Sequence, residues 1–122
     1  MLPAERFYRQ PVAAFRRAWS QVERRRDRLR FEYWKQELGA VGWGTYFYGR
    51  IHVERPQRVF VGNHTTLNQG VTIFAREPVI IGDHCRLSTH VVLHTTGLLT
   101  EGRRPPYQHY ARPIVIQDGV WL

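Results

Sequence analysis

A step of twenty residues governs what this chain can fold into. VGWGTYFYGRIHVERPQRVF from Val41, VGNHTTLNQGVTIFAREPVI from Val61 and IGDHCRLSTHVVLHTTG from Ile81 align at that spacing, and their apolar residues fall in columns. Val41, Val61 and Ile81 form one column, Phe47, Leu67 and Leu87 a second, and Val53, Ile73 and Leu93 a third. A smaller set, Thr45, Thr65 and Cys85, then Ile51, Val71 and Val91, runs between them. Within a row the columns are six residues apart. That period matches neither an amphipathic helix nor an alternating strand of ordinary length. It predicts an all-β solenoid in which three hexapeptides, each a short strand and a turn, close one coil and the column residues stack inside.

One corner of every coil is longer. Val53 to Val61 and Ile73 to Ile81 span eight residues, with Arg55-Pro56 and Arg76 to Pro78 in the gap. The third passage runs from Leu93 to Ile116, which predicts a loop insertion at 95–112 before a fourth coil begins. Insertions in repeat folds collect on one face, often the binding face. The solenoid therefore spans 41–122, and 1–40 forms a separate segment.

Positions 1–40 hold ten Arg or Lys against five Asp or Glu, within a chain of net charge +8. Val12, Phe15, Trp19, Val22, Leu29 and Tyr33 recur at helical spacing, opposite a face bearing Arg16, Arg17, Arg24, Arg25, Arg28 and Arg30. Such a basic amphipathic helix can cap the open apolar end of the solenoid, lie on an anionic membrane surface, or bind nucleic acid. Nucleic acid is the weakest of the three, because no recognised binding module accompanies the arginines. Cys85, alone and at an inward column position, reads as a small buried hydrophobe. No apolar run reaches the length of a membrane span and Met1 is not followed by a secretory core, so the expected compartment is the cytoplasm, with a peripheral place on the inner membrane if the helix binds lipid.

VGNHTTLNQGVTI, PVIIGDHCRLSTHVVLHTTG and above all RPIVIQDGVWL resemble the hexapeptide-repeat acyltransferases, most closely the sugar and polysaccharide O-acetyltransferases related to maltose and galactoside acetyltransferase. The likeness covers about 41–122, with Gln117 where that family's pattern has Gly. It implies a left-handed parallel β-helix, a homotrimer, and transfer of an acetyl group from acetyl-CoA, a co-substrate rather than a tightly bound cofactor, to a hydroxyl of a sugar or glycan precursor. It also implies a place for Trp121 in the cofactor groove. The family continues with further coils after this segment, so the expectation is a shortened chain with an incomplete CoA groove and little or no transfer activity of its own.

A sugar hydroxyl attacking a thioester needs a positioned base, and histidine suits that role by its pKa. His64 and His84 occupy equivalent positions and are expected to stack on one outer face, while His52 and His90 are expected on the second face. His94, at the corner where the long loop departs, and His109, inside that loop, are the candidate bases. Alignment with the family puts Leu98 where its histidine stands. Arg103 and Arg104 could hold an acidic sugar or a phosphate, and Tyr107 and Tyr110 could stack on a pyranose ring. A zinc hydratase of the same fold would need three converging histidines. His84, His90 and His94 fall on three different faces, so no metal site is expected. A non-catalytic oligomeric scaffold, or an inactive truncated relative, is the alternative reading.

Overall fold

The computed structural model describes residues 11–122, and the part of the predicted helical segment at 1–10 lies outside them. Helix α1 spans Pro11–Glu37. Twelve short strands follow: β1 (Ala40–Val41), β2 (Tyr46–Phe47), β3 (His52–Glu54), β4 (Val59–Val61), β5 (Thr66–Leu67), β6 (Thr72–Phe74), β7 (Val79–Ile81), β8 (Arg86–Leu87), β9 (Val92–His94), β10 (Thr96–Leu99), β11 (Gln108–Ala111) and β12 (Ile114–Ile116). Three parallel sheets, β1-β4-β7-β12, β2-β5-β8 and β3-β6-β9, are visited in rotation as the chain winds. The register pairs Val41 with Val61, Phe47 with Leu67 and Leu67 with Leu87, and Val53 with Ile73 and Ile73 with Leu93. The twenty-residue columns of the sequence are therefore the rungs of the stack.

The core is formed by those columns. Phe47, Leu67, Leu87, Ile73 and Ile81 are buried, and Val59 and Val79, two residues ahead of the column heads and absent from the sequence columns, are fully enclosed as well. The polar column Thr45-Thr65-Cys85 is buried because it bonds along the stack. Thr45 Oγ1 donates to Gly62 O and accepts from Thr65 N, Thr65 Oγ1 donates to Gly82 O and accepts from Cys85 N, and the thiol of Cys85 donates to Gln117 O at 3.0 Å. Beside it runs a second ladder: Trp43 N donates to Asn63 Oδ1, Asn63 N to Asp83 Oδ1 and Asp83 N to Asp118 Oδ1, each at 2.7–2.8 Å.

The corner carrying this ladder is tight. A Cβ on Gly82 would come within 2.3 Å of Asp118 Oδ1 and 2.9 Å of the Gln117 carbonyl carbon. Gly82→Ala is expected to push the fourth coil away and weaken the Asp83–Asp118 bond. An overpacked site of this kind costs about 1–3 kcal/mol, measurable as a lowered urea midpoint. An unchanged midpoint would mean that the fourth coil is not packed as described.

Helix α1 does cap the first coil, but with other residues than the stripe Val12 to Tyr33. Phe31 stacks on Tyr46 at 4.8 Å and meets the Phe47 edge at 5.5 Å, Phe31 and Trp34 pack against the core, and Leu38 joins it. All six residues of the expected stripe are exposed. The reason is one of geometry. At about 100° per residue, Phe31, Trp34 and Leu38 project about 120° away from the stripe, and only the last turns of the helix reach the coils.

Candidate active site

The insertion begins where β9 ends. Consecutive coils are offset by 20 residues, but Asp83 and Asp118 occupy equivalent places 35 apart, so fifteen residues are additional. They are not an irregular loop. β10 and β11 form an antiparallel hairpin that pairs Thr96 with Ala111, Gly97 with Tyr110, Leu98 with His109 and Leu99 with Gln108. At its base the buried Thr95 donates from Oγ1 to Phe74 O at 2.8 Å, and Arg112 N returns a bond to Thr95 O at 2.9 Å. These bonds fix the direction in which the hairpin leaves the stack.

His94 and His109 are both exposed. His94 closes β9 with its ring 4.8 Å from that of Phe74, and its Nδ1 accepts the Thr96 N–H at 3.1 Å. With that lone pair engaged, the neutral ring carries its proton on Nε2 and offers a donor to the outside. His109 has a different setting. It stands directly across the ladder from Leu98, and opposed residues in an antiparallel pair have Cβ atoms about 4.5–5.5 Å apart on the same face. The hairpin thus brings an imidazole beside the position that the sequence left without one.

The other sequence-derived residues separate into two groups. Arg103 and Tyr110 line one shallow groove of about 420 Å³ together with Leu98, Glu101 and Arg112. Arg103 Nη1 is bonded to Gln108 Oε1 at 3.0 Å, and the Arg112 guanidinium lies 5.4 Å from the Tyr110 ring centre. Gly97 makes room for that ring, since a Cβ there would lie 2.5 Å from it. Arg104 and Tyr107 do not line this groove. Trp121 is 77% exposed, with Nε1 donating to Ser88 Oγ at 3.0 Å and its backbone bridging to Arg86.

Three of the remaining histidines, His64, His84 and His90, are corner residues. His64 and His84 do stack, at 5.1 Å and 12°, with Trp43 edge-on to His64. Both adopt positive φ, at 52° and 55°, the left-handed conformation that the equivalent turns assign to Gly44 and Gly119. His52 is not on the second face as expected: it opens β3 in the third sheet, and His90 sits in the turn leading to β9 with φ 64°. The hexapeptide step places side chains on faces well but does not show where a turn ends and a strand starts. Among the described residues no group of three His, Cys, Asp or Glu could hold a metal ion.

One feature left no mark in the sequence pattern. A polar cleft of about 290 Å³ lies between α1 and the second corner, lined by Glu23, Arg26, Asp27 and Arg30 from the helix and by Tyr48, Asn68, Gln69 and Thr89 from the coils. Asp27 and Arg30 are paired there at 3.1 Å. Only the crossing of helix and sheet brings these residues together.

No protein-family model matches the chain. Among solved structures it is similar to the hexapeptide-repeat-containing acetyltransferase VCA0836 from Vibrio cholerae, at 27% identity and a TM-score of 0.67 over 78% of this chain and 55% of that one. The hexapeptide-repeat-containing acetyltransferase VCA0836 from Vibrio cholerae O1 biovar eltor, complexed with acetyl coenzyme A, is similar at 23% identity and a TM-score of 0.60 over 72% and 55% of the two chains, a likeness of fold. This chain thus spans 55% of the length of either relative.

Proposed function

We propose that this chain belongs to a CoA-dependent acyltransferase, an O-acetyltransferase that moves the acetyl group of acetyl-CoA to a hydroxyl of a sugar or glycan precursor. The observation that carries the reading is the three-sheet stack itself, which matches an acetyltransferase at a TM-score of 0.67 over 78% of the chain. The stack is read as the left-handed β-helix that the sequence resembles. An exposed apolar ladder, Phe60, Ile80 and Val115 on neighbouring strands of the first sheet, supports association of copies into the trimer that the resemblance implies.

In this reading His109 is the general base. Its place opposite Leu98 supports that assignment, and its imidazole takes the proton of the acceptor hydroxyl as the oxygen attacks the thioester carbonyl. The tetrahedral intermediate then collapses, the C–S bond breaks, and the imidazolium returns the proton to the departing CoA thiolate. His94, with Nδ1 engaged by Thr96, supplies an Nε2–H donor toward the developing oxyanion. Tyr110 and Arg103 line a groove that neither His109 nor His94 enters, so in this reading they contact a part of the acceptor away from the reacting hydroxyl, and exposed Trp121 offers an aromatic face to the CoA adenine or pantetheine. In this reading the protein acts in the cytoplasm.

Leu98 at the family's histidine position favours one other reading, a non-catalytic scaffold. Calorimetric titration with acetyl-CoA, followed by thiol release in the presence of mono- and oligosaccharides, separates the two. For the enzyme to which this segment belongs, binding together with acceptor-dependent thiol release is the expected result, while the segment alone is expected to show little or no transfer. No acetyl-CoA binding by a folded protein would leave the scaffold.

A further inference from the structure

The exposed stripe of α1 has no function in the transfer reading and no partner among the described residues. Phe15 is 67% and Trp19 48% exposed, their rings lie 6.2 Å apart at 14°, and Val12, Val22 and Leu29 extend the same face. Taking about 100° per residue, these side chains and Tyr33 lie within an arc of about 100° interrupted by Arg26, and their exposure leaves the stripe open to approach. The helix is anchored at its other end through Phe31 and Trp34. Its first turns therefore project an ordered apolar ridge into solvent.

The charge around that ridge decides what it meets. Between Arg16 and Arg30 the helix has seven arginines against Glu23 and Asp27, and Asp27 is already paired with Arg30. Arg25 flanks the stripe on one side and Arg16 on the other. Arg24, Arg25 and Arg28, with Asp27 and Glu32, also line a groove of about 880 Å³ beside the helix, walled by Leu29, Tyr46 and Tyr48. A second copy of this chain would bring the same arginines face to face, and like charges in contact oppose pairing. An anionic bilayer satisfies both halves of the surface: headgroups meet the guanidinium groups, and Phe15 and Trp19 enter the acyl boundary.

We propose that α1 docks the protein on an anionic lipid surface, its axis in the plane of the interface and the Val12-Phe15-Trp19-Val22 face inserted. This inference stands independently of the transfer chemistry. The structure has no helix long and apolar enough to cross a membrane among the described residues, so the contact is with one face of the bilayer.

The test is co-sedimentation of the full chain with phosphatidylcholine vesicles, with and without phosphatidylglycerol. Binding is expected only with the anionic lipid, falling as salt is raised, and falling about fivefold for each of Arg24→Ala and Arg25→Ala. Phe15→Glu with Trp19→Glu should abolish binding without lowering the melting temperature, because neither side chain packs on the coils. Equal binding to neutral and anionic vesicles would overturn the proposal, as would no binding by the folded wild type. So would a Phe15→Glu, Trp19→Glu variant that binds vesicles normally, or one that instead dissociates an oligomer, which would make the stripe a contact between copies.

Discussion

Leu67→Asp is expected to abolish folding. Leu67 is fully buried between Phe47 and Leu87 on the second-sheet rung, with apolar columns on either side. The substitution removes a leucine from a site that cannot refill, a loss of about 2–5 kcal/mol, and leaves a carboxylate without a partner in the interior. Together these match the whole stability of a domain this size, about 5–15 kcal/mol. The expected readout is loss of the β-sheet circular dichroism signal and of cooperative unfolding. His64→Ala, on an outer corner of the same coil, is expected to shift the unfolding free energy by no more than about 1 kcal/mol. Equal damage from both would refute the assigned register.

Turnover is the second large effect. In the enzyme to which this segment belongs, His109→Ala is expected to lower acetyl transfer by about two to four orders of magnitude while acetyl-CoA affinity stays nearly unchanged, because proton removal acts in the transition state rather than in binding. His109→Gln should do the same, since an amide cannot serve as the base. His94 is predicted to behave otherwise: His94→Gln keeps an N–H donor and should retain much of the activity that His94→Ala loses. The reverse pattern, collapse in both His94 variants with His109→Ala close to wild type, would return the base to the end of β9.

The stack was legible in the sequence because burial repeats. A residue such as Leu87 is inward for the same reason as Leu67 one coil earlier, and the twenty-residue step therefore shows the register directly. What the step could not show is whatever departs from it. Asp118 belongs to the ladder of Asn63 and Asp83, but the inserted residues move it out of alignment. The hairpin alternates weakly and carries mostly exposed side chains, so nothing in its composition marks the pairing of Leu98 with His109. The helix presented two faces. The longer stripe, Val12 to Tyr33, has more apolar residues than the Phe31, Trp34 and Leu38 face that packs. But a helix of 27 residues is about 40 Å long, and strands about 4.8 Å apart make a stack of four only about 15 Å tall. Which end touches the coils is a matter of tertiary fit, not of pattern.

The two ladders at the tight corner share a direction. Trp43 N waits for Asn63, Asn63 N for Asp83 and Asp83 N for Asp118, just as the Thr45 and Thr65 hydroxyls wait for carbonyls in the coil that follows. Along these two ladders each turn therefore holds donors that only the following coil satisfies, so every coil is completed by the one after it. Damage travels the opposite way: removing the Asp118 carboxylate disturbs the coil made before it and leaves its own backbone amide untouched.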